Sequence, residues 1–290
     1  MKIARIALMK MNSKELLRST IAALTIDESH AEKEAIVRWL FAHEFGLTPS
    51  AIMSGKEISY EPESLNKIIA RLNDHEPLQY ILGETSFYGR VFKVNPSVLI
   101  PRPETELLVS EVVDHFKNSE EAYPSMVDIG TGSGCIATTL ALEIPAAIVF
   151  ATDISEGALD LAAANARNLK AKVRFIRHDI LKDPISFGPL DAVVSNPPYV
   201  PEQERSTLRK NVIDFEPHLA LFSGGDDALF FYDAIAKNAR KCLKPGGLLI
   251  TEINESYGPE TAALYKSLHY SEVDIIKDLS GKDRIVRAIR

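Results

Sequence analysis

The chain has 290 residues, of which 46% are hydrophobic and 25% are charged, so it is too apolar for a disordered protein and long enough for about two domains. Its 33 Lys and Arg against 40 Asp and Glu give a formal charge of −7, which argues against a general attraction to nucleic acid. Two cysteines without a Cys-x-x-Cys pair argue against a disulfide framework or a cysteine-ligated zinc site, and they are typical of a reducing, cytoplasmic compartment.

The first residues of the chain do not resemble a signal peptide. Lys2, Arg5 and Lys10 leave no apolar run of the ~7–15 residues that such a peptide needs. Elsewhere no uncharged apolar stretch reaches the ~18 residues of a membrane span, and the longest apolar region, residues 135–152, is interrupted by Glu143. We therefore expect no membrane role.

The first quarter of the chain carries apolar residues at helical spacing and no strand signal. One helix is predicted behind Ser13 as N-cap, a second from about Ser29, and a third from Pro62, which suits a first helical position. Residues 1–90 hold eleven basic and twelve acidic side chains, which is not the composition of a nucleic-acid-binding arm. The pattern predicts an all-α domain over residues 1–86 that would serve as a docking or lid module.

Residues 87–100 differ from the helical region before them. They consist of short β-favouring pieces, broken by Gly89 and by Asn95-Pro96. This pattern predicts a β-hairpin that links two domains, the second of which covers residues 101–290.

In the second domain, apolar strand candidates alternate with helical stretches, which is the pattern of an α/β fold with a parallel sheet covered on both faces. The candidates are Met126–Ile129, Ile148–Thr152, Val173–Ile176, Ala192–Ser195 and Leu248–Glu252. Near the end of the chain, residues 272–276 and 284–289 flank a turn at Gly281. These two segments predict a closing antiparallel pair.

A glycine-rich turn follows the first of these strands. It consists of Gly130, Thr131, Gly132, Ser133 and Gly134. Such a turn between a strand and a helix lets backbone approach a ligand closely and directs helix N-terminal amides at it. The order is Gly-x-Gly-x-Gly, so neither the dinucleotide fingerprint nor a phosphate-binding P-loop is matched. A tight turn without a ligand remains the alternative.

Acidic residues stand after the next two strands. Asp153 ends the second strand, where a carboxylate can accept both hydroxyl hydrogens of a ribose. Asp179 follows the third strand, where it can accept from the exocyclic amine of an adenine while Ile180 covers the ring. A solvated surface carboxylate is the alternative for each residue taken alone. Together with the glycine turn they predict a pocket for an adenosyl group at the carboxyl ends of the strands.

The fourth strand leads into Asn196-Pro197-Pro198-Tyr199, in which two prolines fix an extended backbone. The Asn196 side-chain oxygen and the Pro197 carbonyl can both accept from an –NH₂ group, and Tyr199 offers a flat face for stacking. The alternative is an ordinary Asn-Pro turn beside a packed tyrosine. Downstream of a glycine turn in a βα unit, this motif favours recognition of a planar amino group.

These motifs resemble those of the class I S-adenosylmethionine-dependent methyltransferases, and more closely those of the HemK/PrmC family of peptide chain release factor glutamine-N5 methyltransferases. The resemblance is carried by Glu76 to Gly83, Leu99 to Glu106, the glycine turn, Asn196 to Tyr199, Phe215-Glu216-Pro217 and Asp283-Arg284. The Arg-Pro-Glu-Thr-Glu stretch at 102–106 distinguishes this family from nucleic-acid amino methyltransferases. The resemblance begins at about Met11, an alternative start, and Asn254 stands where the family usually has glycine.

The resemblance implies a class I, Rossmann-like methyltransferase with a seven-stranded, mostly parallel sheet, a small N-terminal all-α domain and a β-hairpin linker. It implies S-adenosyl-L-methionine as the cofactor, bound by Gly130, Thr131, Gly132, Ser133, Gly134, Asp153, Asp179, Ile180 and Asn196. It implies that Asn196, Pro197, Pro198 and Tyr199 bind the glutamine of a Gly-Gly-Gln loop, with Asn196 and Pro197 in the catalytic roles. The expected enzyme is a cytoplasmic monomer that needs no metal, and its partner is a release factor rather than nucleic acid or a membrane.

An amide nitrogen is a poor nucleophile, so two acceptors that aim it at a methyl group matter more than a general base. His178, beside Asp179, is therefore expected to be structural or solvated. Arg102, Glu104 and Glu106 either form a charged first helical turn or shape the opening over the glutamine.

Two other functions remain open at this point. Asn-Pro-Pro-Tyr also fits the amine of adenine, which an adenine-N6 methyltransferase acting on DNA or RNA would require, although the charge of −7 argues against that partner. A non-catalytic module that senses the cofactor is the third possibility, and the complete substrate motif argues against it.

Overall fold

The computed structural model describes residues 8–117, 119, 121–225 and 227–290. The chain separates into two compact units. The first comprises the described residues up to Gly83 together with Lys210–Phe215, and the second comprises Glu84–Arg209 and Glu216–Arg290. Lys2 and Arg5, two of the charged residues that argue against a signal peptide, lie outside the described residues.

The first unit is built mainly from helices. They are α1 (Ser13–Ala23), α2 (His30–Phe45), α3 (Pro49–Ser54), α4 (Pro62–Asn73) and α5 (Leu78–Leu82). Ser29 caps α2 by accepting from the Glu32 N–H, and Pro62 occupies the start of α4, as predicted. The helices enclose an apolar core in which Val37, Leu40 and Phe41 are fully buried.

The first helix begins one residue earlier than expected. Its N-cap is Asn12, whose side chain accepts from the Lys14 N–H at 2.9 Å. Ser13, the predicted cap, is buried instead, and its hydroxyl donates to the Ile52 carbonyl at 3.2 Å. Both residue types are good caps, so the sequence did not distinguish them.

The first unit also contains a ladder that the prediction of an all-α domain missed. Strands β1 (Met9–Asn12) and β2 (Glu57–Tyr60) pair antiparallel, with Met9 opposite Tyr60 and Met11 opposite Ile58. Each strand has four residues, and only Ile58 and Tyr60 show the inward alternation of a strand. A segment this short shows too few residues for the two-residue alternation of a strand to be recognised. Met9 and Lys10, which precede the alternative start, are part of this ladder.

The second unit opens with a β-hairpin, β3 (Glu84–Phe87) and β4 (Arg90–Lys93). Tyr88 and Gly89 form its turn with φ of 49° and 70°, the left-handed pair that a two-residue hairpin needs. The hairpin therefore spans residues 84–93, so it begins three residues before the predicted span of 87–100 and ends seven residues before the end of that span.

The remaining elements are helices and strands, which alternate strictly from α6 to β7. In chain order they are α6 (Thr105–Lys117), β5 (Ser125–Ile129), α7 (Cys135–Glu143), β6 (Ile148–Asp153), α8 (Glu156–Asn168), β7 (Val173–Arg177), β8 (Leu190–Ser195), a 3₁₀ turn (Glu202–Thr207), α9 (Lys210–Ile213, in the first unit), α10 (His218–Leu221), α11 (Phe230–Cys242), β9 (Leu243–Glu252), α12 (Gly258–Ser267), β10 (Ser271–Lys277) and β11 (Asp283–Ile289). Among the described helices, none has both the length and the apolar character that crossing a membrane would require.

Seven of these strands form one sheet in the order β10-β11-β9-β8-β5-β6-β7. The five strands from β9 to β7 are parallel, and β11 runs antiparallel to both β9 and β10. This confirms the predicted seven-stranded, mostly parallel sheet. The chain leaves β5 for β6 on one side and later returns to β8 on the other, so the strand order reverses between β5 and β8. Ligands of open α/β sheets bind outside the carboxyl ends of the strands at such a point.

Both faces of the central strands are buried. In β5, for example, Met126 packs into one apolar cluster and Val127 into the other. The same alternation holds in β8 for Ala192 and Val193. Strands buried on both faces read as continuous apolar runs, which is why the sequence revealed them.

Candidate active site

A cavity of about 390 Å³ lies at the carboxyl ends of β5, β6 and β8, within the second unit. This volume is in the range of small-molecule sites. It is lined by ten of the predicted site residues: Gly130, Thr131, Gly132, Ser133, Asp153, Asp179, Ile180, Asn196, Pro197 and Pro198. Gly134 and Tyr199 are not among the lining residues. The structure therefore brings together most of the residues that the sequence selected.

The glycine turn serves both the cavity and the packing behind it. Gly132, at φ 53°, faces open space, since a Cβ added there would meet nothing within 4 Å. Gly134, at φ 77°, lies against α8, and a Cβ there would come within 2.8 Å of the Ala162 Cβ. Gly134 thus allows the start of α7 to approach α8 and is not a lining residue.

A buried acid beneath the turn escaped the sequence analysis. Asp128 of β5 is fully buried, and its Oδ2 accepts from the Thr131 hydroxyl at 2.6 Å and from the Ala137 N–H at 3.2 Å. Burial raises the pKa of Asp128 to about 7. Through these two hydrogen bonds Asp128 ties the glycine turn to the first turn of α7. Its signal in the sequence was an acid inside an otherwise apolar strand next to a glycine.

Asp153 closes the same side of the cavity. Its two oxygens accept from the Gly132 N–H and from the Ser155 N–H, each at 2.9 Å. Burial raises its pKa, against the effect of these backbone hydrogen bonds. A carboxylate oxygen can accept more than one hydrogen bond, so Asp153 keeps acceptor capacity toward the cavity.

Asp179 and Ile180 line the cavity after β7. Asp179 accepts from the Leu181 N–H at 3.1 Å and pairs with Lys182 at 3.0 Å. Desolvation opposes ionisation of Asp179, but Lys182 and the Leu181 amide outweigh it, and the pKa is lowered. Ile180 is only 9% exposed, so it offers an apolar surface beside an ionised carboxylate.

His178 also lines the cavity, and neither ring nitrogen has a hydrogen-bond partner among the described residues. Its predicted structural role stays a prediction. Among the residues that the structure describes, no group of three or more His, Cys, Asp or Glu is arranged to hold a metal ion.

Another part of the cavity wall is formed by Asn196, Pro197 and Pro198, which follow β8. The Asn196 Nδ2 donates to the Thr105 hydroxyl at 3.2 Å, and that hydroxyl lies 2.6 Å from an oxygen of Glu252. Thr105 and Glu252 are 2% and 1% exposed. Burial raises the pKa of Glu252 to about 7, while Thr105, Arg284 and Asn196 oppose the rise.

Tyr199 is not among the residues that line the cavity. It packs beside the apolar cluster that contains Val193 and Tyr232, and burial raises its pKa. Its role as a stacking face for substrate stays a prediction.

The charged residues at 102–106 have different structural roles. Arg102 lines the cavity and pairs with Glu216, which is 4% exposed and also accepts from the Ile100 N–H at 3.1 Å. Glu106 accepts from the Tyr88 N–H at 2.7 Å and so holds the hairpin turn. Of the alternatives left open for this segment, the structure gives Glu106 a structural contact and Arg102 a place in the cavity wall.

Two family models match the chain. One described as a PrmC N-terminal domain matches residues 15–83, and one described as a methyltransferase small domain matches residues 103–226. A release factor glutamine methyltransferase of Bacteroides thetaiotaomicron is 43% identical over 263 residues, which cover 89% of this chain and 93% of that protein. One from Bacillus subtilis is 38% identical over 275 residues, covering 92% and 95%.

Solved structures share the fold of about 70% of the chain at low sequence identity. A methyltransferase of Pyrococcus furiosus covers 70% of this chain and 90% of its own, with a TM-score of 0.51 and 19% identity. The 16S rRNA N2 G1207 methyltransferase of T. thermophilus, in complex with AdoMet and guanosine, covers 71% of this chain and 49% of its own, with a TM-score of 0.52 and 17% identity. These likenesses show the class I methyltransferase fold.

Proposed function

Because the chain belongs to the family of release factor glutamine methyltransferases, we propose that it transfers a methyl group from S-adenosyl-L-methionine to the N5 amide of the glutamine in the Gly-Gly-Gln loop of peptide chain release factors. The observation that carries the proposal is the Asn196-Pro197 pair of acceptors at the wall of a cavity whose other wall is the glycine turn. The proposal places the enzyme in the cytoplasm as a monomer, with residues 1–86 recognising the substrate.

The cavity fits the cofactor. The open space at the Gly132 Cβ position leaves room for a ligand against bare backbone, and Asp153 keeps acceptor capacity for ribose hydroxyls. Asp179 and Ile180 combine a carboxylate with an apolar surface, as an adenine requires. When bound, S-adenosyl-L-methionine supplies an electrophilic methyl group on a sulfonium.

The substrate nitrogen needs orientation more than activation. Its lone pair is delocalised into the carbonyl, so two acceptors that hold its N–H bonds aim it at the methyl carbon and favour pyramidalisation. Alignment at ~3–3.5 Å can supply ~7–11 kcal/mol of the barrier. The Asn196 Oδ1 and the Pro197 carbonyl are the acceptors in this proposal. The nitrogen becomes acidic only after it gains the methyl group, so its proton can pass to water without a dedicated base.

The adenine-N6 alternative is not favoured. The full-length relatives are named for release factor glutamine methylation, and the chain carries a formal charge of −7. Phosphate recognition requires clustered Lys and Arg.

The free thiols of Cys135 and Cys242 are both buried, in keeping with a reducing compartment.

The test is transfer of labelled methyl to a release factor, with the modified residue located by peptide mass. We expect label on the loop glutamine, none when that glutamine is replaced, and a loss of about 10²–10³ in kcat for Asn196→Ala. Asn168→Ala, which removes an exposed amide at the far end of α8, is the matched control. Label on nucleic acid and none on protein would overturn the proposal.

A further inference from the structure

Three polar side chains from distant parts of the chain meet beside the cavity. Glu252 ends β9, Thr105 begins α6, and Asn196 follows β8. Thr105 Oγ1 lies 2.6 Å from Glu252 Oε2 and 3.2 Å from Asn196 Nδ2. Thr105 and Glu252 are almost fully buried, so water does not compete for these contacts. The methyl-transfer chemistry described above uses neither residue.

The contacts have a direction. An ionised carboxylate only accepts hydrogen bonds, so the Thr105 hydroxyl must donate to Glu252. A hydroxyl has one hydrogen, so toward Asn196 the same oxygen can only accept. Asn196 must therefore turn its –NH₂ group to Thr105, and Oδ1 is left without a partner among the described residues.

An asparagine side chain has two orientations of nearly equal shape, which differ only in whether oxygen or nitrogen faces a given side. For Asn196, one orientation presents an acceptor to the cavity and the other presents donors. We propose that Glu252 and Thr105 are positioning residues that hold Asn196 with Oδ1 toward the substrate, and thereby select a glutamine amide over a glutamate carboxylate. This inference rests on the proposed function.

The selection follows from hydrogen-bond chemistry. A glutamine amide has two N–H donors for the Asn196 Oδ1 and the Pro197 carbonyl. A glutamate carboxylate has none, and its lone pairs would face two acceptors, a mismatch that a desolvated site penalises heavily. If Asn196 were inverted, its donors would suit the carboxylate. The direction of the Glu252-Thr105-Asn196 contacts thus sets which side chain is accepted.

The test uses variants that disrupt the hydrogen bond from Thr105 to Glu252 or the one from Asn196 to Thr105. Glu252→Gln keeps the shape but adds donors, so Asn196 loses its fixed orientation. Thr105→Val removes the hydroxyl, whereas Thr105→Ser keeps it. Glu260→Gln, an exposed change in the first turn of α12, controls for loss of one charge. Each variant is assayed at pH 8.5, above the Glu252 pKa of about 7, for methyl transfer to a release factor. Binding of its loop peptide with glutamine or with glutamate is measured in parallel.

We expect Glu252→Gln and Thr105→Val to lower kcat by about tenfold or more and to shrink the preference for the glutamine peptide by at least about tenfold. Thr105→Ser and Glu260→Gln should stay within about threefold of wild type. Cofactor affinity of Glu252→Gln should be unchanged, because Glu252 does not line the cavity.

Two results would overturn the inference. An unchanged glutamine preference in Glu252→Gln, next to an active wild type, would refute it and leave the proposed function standing. Equal losses in Thr105→Ser and Thr105→Val would assign the effect to packing of the side chain and not to its hydroxyl. A wild type that labels no glutamine in any release factor would instead refute the proposed function, and this inference with it.

Discussion

The two sides of the cavity each rest on one buried acid, but these acids act over very different distances along the chain. On the glycine-turn side, Asp128 binds Thr131, three residues away, and Ala137, nine residues away. On the Asn196 side, Glu252 reaches Thr105 across 147 residues, and Thr105 reaches Asn196 across 91. The first side forms wherever the strand-turn-helix segment folds. The second exists only after β8, β9 and the start of α6 have been brought together.

Substitutions in the glycine turn test whether the local side has separable roles. Gly134→Ala should destabilise the protein by about 3 kcal/mol, since left-handed backbone costs a non-glycine residue ~1–2 kcal/mol and the contact with Ala162 adds overpacking. Gly132→Ala should cost only about 1 kcal/mol of stability, because its Cβ meets nothing, and should weaken cofactor binding instead. Chemical denaturation and cofactor titration of both variants measure the two effects. Equal stability losses would contradict the distinction.

The pH dependence of stability tests the acid on the distant side. The folded protein holds the proton of Glu252 up to about pH 7, whereas a free glutamate loses it near 4.5. The stabilisation from this group is thus complete below pH 4.5 and is lost as the pH rises to about 7, a change of roughly 3 kcal/mol. Arg284, Thr105 and Asn196 oppose the shift, and Glu104 adds to it.

Glu252→Gln removes this titration, so its unfolding free energy should fall less between pH 4.5 and 7 than that of wild type. Urea denaturation across that range measures the difference. Asp128, whose pKa is also raised to about 7, contributes in the same direction and should account for part of the slope that remains in the variant. Parallel curves for the two proteins would show that Glu252 titrates as an ordinary glutamate.

The sequence predicted the short motifs that line the cavity far better than the buried residues that support them. The glycine turn, Asp153 and the Asn-Pro-Pro-Tyr segment are short motifs whose neighbours along the chain determine their geometry, and the structure places most of them in one cavity. Thr105 lies in the motif at 102–106, but nothing local predicts its contact with Glu252, because that contact depends on the order of strands in the sheet. The same limit applies to β1 and β2, which are too short to show a period but pair across the first unit.

A substitution of Asp153 tests how much of the cofactor affinity comes from the glycine-turn side of the cavity. Asp153→Asn keeps the size but exchanges one acceptor for a donor, so it loses either a ribose contact or the hydrogen bond from the Gly132 or Ser155 amide. We expect cofactor affinity to fall about 10–30-fold, the equivalent of about 2 kcal/mol for a charged hydrogen bond. Titration of the cofactor checks this. The glutamine preference of the loop peptide should not change, because that preference depends on the Asn196 side of the cavity.

Glu106 should have the smallest effect on activity, and it distinguishes structural residues from site residues within one motif. Its carboxylate accepts from the Tyr88 N–H at 2.7 Å, and Tyr88 sits in the hairpin turn at φ 49°. Glu106→Ala should therefore cost about 1–3 kcal/mol of stability, because it leaves a partly buried backbone donor without its acceptor. Glu106→Gln retains an acceptor and should cost less. Neither variant should alter kcat at saturating substrate when assayed well below its melting temperature. A loss of kcat in Glu106→Gln without a loss of stability would contradict this structural role and place Glu106 in the reaction itself.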